Sequence, residues 1–107
     1  MEKLLSVGSA ATEDTPRGRI LIVDDDPVVA GMLGISLEAA GHTIVEVYSG
    51  EEALALLAEN DSTSLPDVVF LDIEMGMGID GYETCRRLRA VAATGDLPVI
   101  PLWPRWA

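Results

Sequence analysis

Basic residues are scarce in this chain. Seven Lys and Arg stand against 18 Asp and Glu over 107 residues, a formal charge of −11, and the only lysine is Lys3. A surface this acidic repels a nucleic-acid backbone and an anionic bilayer, so neither a direct nucleic-acid partner nor a membrane is expected. Cysteine is nearly absent. Cys85 alone cannot close an internal disulfide, which suits a reducing compartment. No apolar run approaches the ~20 residues of a membrane span. Residues 1–19 hold no sustained apolar region of signal-peptide length. These absences predict a cytoplasmic protein. Apolar mass, by contrast, is plentiful: 49% of the residues are hydrophobic, which excludes a disordered acidic tail. At this length the chain holds at most one small domain with a packed core.

Along the chain, residues 1–19 are mixed, polar and turn-rich, and read as a flexible lead-in. Ile20–Val23 is short and β-branched, the pattern of a strand buried on both faces. Asp26 can cap a helix whose first position is Pro27, where a missing N–H costs nothing. Ala30, Leu33, Leu37 and Ala40 share one face of that helix, and Gly41 ends it. Thr43–Tyr48 predicts a second strand. Ser49 and Glu52 have capping-box spacing for a helix to about Glu59, with Ala53, Leu54, Leu57 and Ala58 inward. "DVVFLD", residues 67–72, predicts a third strand. A helix from Tyr82 to about Ala92 follows Asp80–Gly81, with Tyr82, Cys85, Leu88 and Arg89 on one face. "VIPLW" begins a fourth strand. Three strand–helix units and a further strand predict a doubly wound parallel sheet with helices on both faces. Functional groups in such α/β folds lie beyond the carboxyl ends of the strands. That is where Asp24, Asp25, Asp26 and Asp72 fall.

Taken singly, each of these acids has a bland reading. Asp26 is a helix cap, Asp24 and Asp25 are solvated, and Asp72 opens a turn. Convergence changes that. Two carboxylates ~5 Å apart repel by about 3 kcal/mol at an effective dielectric near 20. Three together need a cation or a protonated member, and an all-carboxylate set suits a hard ion such as Mg²⁺.

"RILIVDDDP", "VVFLDIEM", "DGYETCRRLR" and "DLPVI" occur in that order, and together they resemble the receiver domain of bacterial two-component response regulators. The resemblance covers about Arg19 to Leu102, and residues 20–102 read as an incomplete receiver domain. It implies a flavodoxin-like sheet of order 2-1-3-4-5. It further implies that Asp72 accepts a phosphoryl group from a sensor histidine kinase or phosphotransfer protein. Mg²⁺ would be held by Asp24, Asp25, Asp72 and the Glu74 backbone carbonyl. The domain would then be a phosphoacceptor rather than an enzyme acting on a separate substrate. An ionised Asp72 is a competent nucleophile for an aspartyl phosphate.

Two stretches depart from the family pattern. "MGMGIDG", residues 75–81, is one residue longer than the usual loop and lacks its proline, and its three glycines predict a looser hold on Glu74. After the fourth strand the pattern asks for a Thr or Ser, where Trp103 stands, and for a fifth strand ending in lysine and a fifth helix. Residues 103–107 therefore read as a foreign ending, a truncation or shifted frame, with a genuine short variant as the other reading. A fourth strand left at the sheet edge invites pairing with a second receiver. Trp103 and Trp106 either cover that edge or form a partner surface.

Two other functions compete. A receiver-like binding module would keep the shape without the switch. "DDDPV" also fits the D-x-D-x-[TV] pattern of haloacid-dehalogenase-type phosphatases, with Asp24 as nucleophile and Asp26 as general acid, but that class needs a downstream lysine. His42 reads as a loop histidine rather than a phosphohistidine. Cys85 reads as a small core residue. Arg86, Arg87 and Arg89 read as a solvated face complementing the helix dipole, rather than a phosphate patch.

Overall fold

The computed structural model describes residues 18–59 and 64–102. The lead-in before Gly18 and the ending after Leu102, with Trp103 and Trp106, lie outside the described residues. Four parallel strands form one sheet in the order β2-β1-β3-β4: β1 is Arg19–Val23, β2 Thr43–Val47, β3 Val68–Asp72 and β4 Val99–Leu102. The order agrees with that implied by the resemblance.

β1 is central, with Ile20 opposite both Ile44 and Val68. Residues 20–23 are at most 5% exposed, which explains why they carry no polar alternation. Side chains of successive strand residues feed two cores. On one face Ile20, Ile22 and Phe70 meet Ala30, Leu33 and Leu37 of α1, Pro27–Ala39. On the other, Leu21, Val23, Val69 and Leu71 meet Ala53 and Leu57 of α2, Gly50–Glu59, and Leu88 of α3, Gly81–Ala90. Helices thus cover both faces.

Local signals place the helix ends. Asp26 Oδ1 accepts from the amides of Val28 (3.0 Å) and Val29 (3.4 Å), and Pro27 occupies the first turn. Gly41, at φ +100°, closes α1 while its N–H and that of His42 return to the carbonyls of Glu38 and Leu37. The Ser49 hydroxyl caps the Glu52 amide at 3.0 Å, and the Glu52 carboxylate reaches back to Tyr48 N–H at 2.7 Å.

Three sequence expectations need correction. Tyr82 points outward, 61% exposed, and Thr84 takes the inner position instead, donating to the Asp80 carbonyl. Ala58 is exposed, while Leu56 packs against the core. Arg89 is more than part of a solvated face: its Nη1 donates to the carbonyls of Thr94, Gly95 and Leu97. That grip ties the end of α3 and the 3₁₀ turn Ala92–Thr94 to the entry of β4. The carbonyls of Pro98, just before β4, and of Leu102 accept from Val69 of β3 and from Ile73, just after it. Even-numbered residues therefore face β3, and Pro101, which has no N–H, faces away from that ladder.

Candidate functional site

The adjacency of β1 and β3 brings Asp72 beside the residues that follow Val23. Carboxylate oxygens of Asp24, Asp25 and Asp72 lie within 4.8 Å of one another. Asp26, the cap of α1, is not among these three. The triple aspartate is thus divided: two acids face Asp72 and the third holds a helix.

The three acids sit in different surroundings. Asp24 is only 2% exposed, which removes the bland reading of it as a solvated acid. Its N–H donates to the Val47 carbonyl at 3.2 Å, continuing the β1–β2 ladder, and its Oδ1 accepts from Asp26 N–H at 2.9 Å. Asp25 is exposed and Asp72 half-buried. Burial, then the Asp24 charge, raises the Asp72 pKa to about 6. Asp25 and a hydrogen bond with Asp24 push the same way, against the Glu74 N–H, which favours the carboxylate. The metal-free cluster therefore holds Asp72 above the ordinary aspartate value. The cluster is short of positive charge.

An ion with Mg–O distances near ~2.1 Å places its opposed oxygens roughly 4 Å apart, which the cluster spans. Donor chemistry agrees, since all three side chains offer hard carboxylate oxygen. The residues fit Mg²⁺.

The loop between β3 and α3 is fastened more firmly than its glycines suggest. Gly81 N–H donates to the Ile73 carbonyl at 3.0 Å and closes the neck. A Cβ on Gly81 would lie 2.6 Å from Ile73 Cα, so only glycine brings α3 this close to the end of β3. Within the loop, Glu74 N–H donates to Asp72 Oδ1 (3.2 Å) and Gly76 N–H to Asp25 Oδ2 (2.8 Å). Ile79 N–H donates to Glu51 Oε2 at 3.0 Å. Sequence reasoning missed both Gly76 and Glu51. Neither carries a spacing signal, because the contacts join residues 51 and 28 positions apart.

Residues set aside from sequence stay outside the cluster. His42 is half-buried, and its Nδ1 accepts from Gly18 N–H at 3.2 Å, at the amino end of β1. Arg86 and Arg87 pair with Glu83 at 2.6 and 2.7 Å and hold its carboxyl down at about 2. Cys85 packs against the core.

Residues 20–102 match the family described as the response regulator receiver domain. The chain is 37% identical over 84 residues to RpaA of Synechocystis, a DNA-binding dual master transcriptional regulator, covering 78% of this chain and 33% of that one. It is 44% identical over 89 residues to the DNA-binding response regulator MtrA of Mycolicibacterium smegmatis, covering 83% and 36%. The chain thus spans about a third of the length of these curated relatives. Among solved structures, the response regulator TrrA of Thermotoga maritima in complex with Mg(2+)-BeF superposes with a TM-score of 0.67 at 37% identity, covering 79% of this chain and 68% of that one.

Proposed function

The chain belongs to the response regulator receiver family of two-component signalling, and from that premise we propose that it accepts a phosphoryl group on Asp72 with Mg²⁺ held beside it. The observation that carries the proposal is the cluster itself: three carboxylates within 4.8 Å, one of them at the carboxyl end of a central strand and raised to about 6. In this reading Asp24, Asp25 and Asp72 hold the ion, with the Glu74 carbonyl completing the protein's share. A bound Mg²⁺ supplies positive charge for the transferring phosphoryl oxygens.

The chain's own residues divide the remaining work. An Asp72 carboxylate oxygen attacks phosphorus, and the bond from phosphorus to the donor breaks as the acyl phosphate forms. Asp24, buried and held by the Asp26 amide, sets the charge next to Asp72. Glu74 N–H orients the Asp72 carboxylate. A dehalogenase-type reading is disfavoured, because it makes Asp24 the nucleophile and Asp26 the acid. Asp24 is almost inaccessible, and Asp26 caps α1.

The partner in this reading is a cytoplasmic sensor histidine kinase or phosphotransfer protein. Val28, Met32 and Ile35 are 66–69% exposed at helical spacing on α1, which begins beside the cluster. That stripe offers a partner an apolar foothold next to Asp72. DNA binding belongs to the relatives so described and is not proposed here.

The test is incubation with Mg²⁺ and a small phosphodonor such as acetyl phosphate, followed by mapping of the label. Hydroxylamine-labile phosphate on Asp72, lost in Asp72→Asn, is expected. Label on Asp24 instead would restore the phosphatase reading, and saturable Mg²⁺ binding without any label would favour a non-switching module.

A further inference from the structure

We propose that Glu51 is a positioning residue for the cation site, acting through the loop that joins β3 to α3; the inference rests on the phosphoacceptor reading above. Glu51 lies in the first turn of α2, exposed, and it contributes nothing to the acid cluster itself. Its carboxylate instead accepts the Ile79 amide at 3.0 Å. Gly78 sits beneath the same group at φ +71°, and a Cβ there would lie 2.6 and 2.7 Å from the two Glu51 oxygens. The loop crosses this carboxylate at a left-handed backbone position that favours glycine.

The other fastenings of the loop show what Glu51 controls. Glu74 and Gly76 give their amides to Asp72 and Asp25, which are themselves candidate ligands. Those two bonds involve acids whose surroundings change when a cation arrives. The neck bond from Gly81 to Ile73 fixes only where the loop begins and ends. Met75, between Glu74 and Gly76, buries its side chain in the core and fixes the near side of the loop. Glu51 is the one hydrogen-bonding side chain among these contacts that lies outside the cluster, and it holds the far side. Together with Met75 it can keep Glu74 and Gly76 at the site while Asp25 exchanges the Gly76 amide for an ion. A loop one residue longer than the family pattern and rich in glycine has more conformations to lose on closing over a cation, so an anchor that holds it beforehand improves binding.

The mechanism requires an acceptor oxygen at this position, not a charge. Glu51→Gln keeps an oxygen for the Ile79 amide and removes the charge. Glu51→Ala removes both. Calorimetric Mg²⁺ titration and amide exchange of Gly76 and Ile79 in the metal-free protein separate these effects, with thermal unfolding recorded for both variants. We expect Glu51→Ala to weaken Mg²⁺ binding about three- to tenfold and speed Ile79 exchange, while Glu51→Gln stays within about twofold of the parent. Equal weakening in both variants would make Glu51 a source of negative potential only and overturn the proposal. So would Glu51→Ala binding Mg²⁺ as the parent does. If the parent itself shows no saturable Mg²⁺ binding, the cation reading fails and this one with it, an outcome distinct from the other two.

Discussion

The amide of Gly76 donates to Asp25 Oδ2 at 2.8 Å, joining the loop after β3 to the acid pair after β1. In the metal-free protein this bond satisfies an exposed carboxylate that no cationic side chain reaches among the described contacts. It also shows how the fold treats its excess of negative charge. Three carboxylates, those of Asp72, Asp25 and Glu51, each accept a main-chain amide from residues 74–79. Such charge-assisted bonds are stronger than neutral ones.

The glycines flanking this arrangement are not equivalent. A Cβ at Gly76 would meet Asp25 Oδ2 at 3.5 Å, an ordinary contact, whereas one at Gly81 would collide with the backbone of Asp72 and Ile73. Gly76→Ala should leave Mg²⁺ affinity within about twofold, since the amide donor remains. Gly81→Ala should cost about 1–3 kcal/mol of stability, because the conflict is with backbone that cannot swing aside. Urea denaturation checks the second expectation; an undisturbed Gly81→Ala would mean that α3 is not pressed against the end of β3.

The three consecutive aspartates should separate by property. Asp26→Ala loses a helix cap, at about 1 kcal/mol, with Mg²⁺ affinity nearly unchanged. Asp25→Ala should do the reverse. It leaves the helix intact and weakens Mg²⁺ binding about tenfold or more, since even outer partners of a metal cost that much. Calorimetry and urea denaturation on the two variants make the comparison. Similar loss of metal binding in both would place Asp26 in the site.

Much of this was legible in the sequence, because the signals were local. Unbroken apolar strands, the Asp26–Pro27 start, Gly41 and the Ser49–Glu52 pair report on residues within a few positions of one another. The meeting of Asp24, Asp25 and Asp72 was legible as well, once the resemblance set β1 beside β3, since neighbouring parallel strands place their carboxyl ends together. Features made by distant main chain were not legible. Nothing near Glu51 marks it as an acceptor for Ile79. The inward place of Thr84, where Tyr82 was expected, lies against Gly50 of α2, a contact between distant residues. The rise in the Asp72 pKa comes from its own burial and then from the Asp24 charge beside it, and neither is visible in the local sequence.

Arg89 illustrates the same limit and can be tested. Its guanidinium gathers the carbonyls of Thr94, Gly95 and Leu97, so it secures the entry to β4. Arg89→Ala should destabilise the fold by about 1.5–3 kcal/mol, the range for hydrogen bonds to a charged group. Amide exchange should quicken first in residues 97–102. Arg89→Lys should recover part of the loss, since a single ammonium cannot reproduce the planar fork. No change in exchange along β4 would show that the strand is held by its pairing with β3 alone.

Asp72 itself should lower the stability of the metal-free protein at neutral pH. Its folded pKa, about 6, lies above the ordinary 3.8, so between these values the folded state holds the proton more tightly than the unfolded state does. Stability from this group therefore rises as pH falls through 6, is complete below about 3.8, and its cost is fully present above 6. The side chain is only half-buried, and solvent screening reduces the effect to the order of 1 kcal/mol. Asp72→Asn removes the charge and keeps the shape. In a chelator at pH 7.5 it should be more stable than the parent by about 1 kcal/mol, with the advantage shrinking to nothing by about pH 4. Adding Mg²⁺ should reverse the order, since a ligand that binds only the folded state stabilises the protein that binds it best. Urea denaturation at the two pH values, with and without Mg²⁺, reads all four terms. An Asp72→Asn protein less stable than its parent in chelator at pH 7.5 would mean that the three acids do not repel one another as their spacing requires.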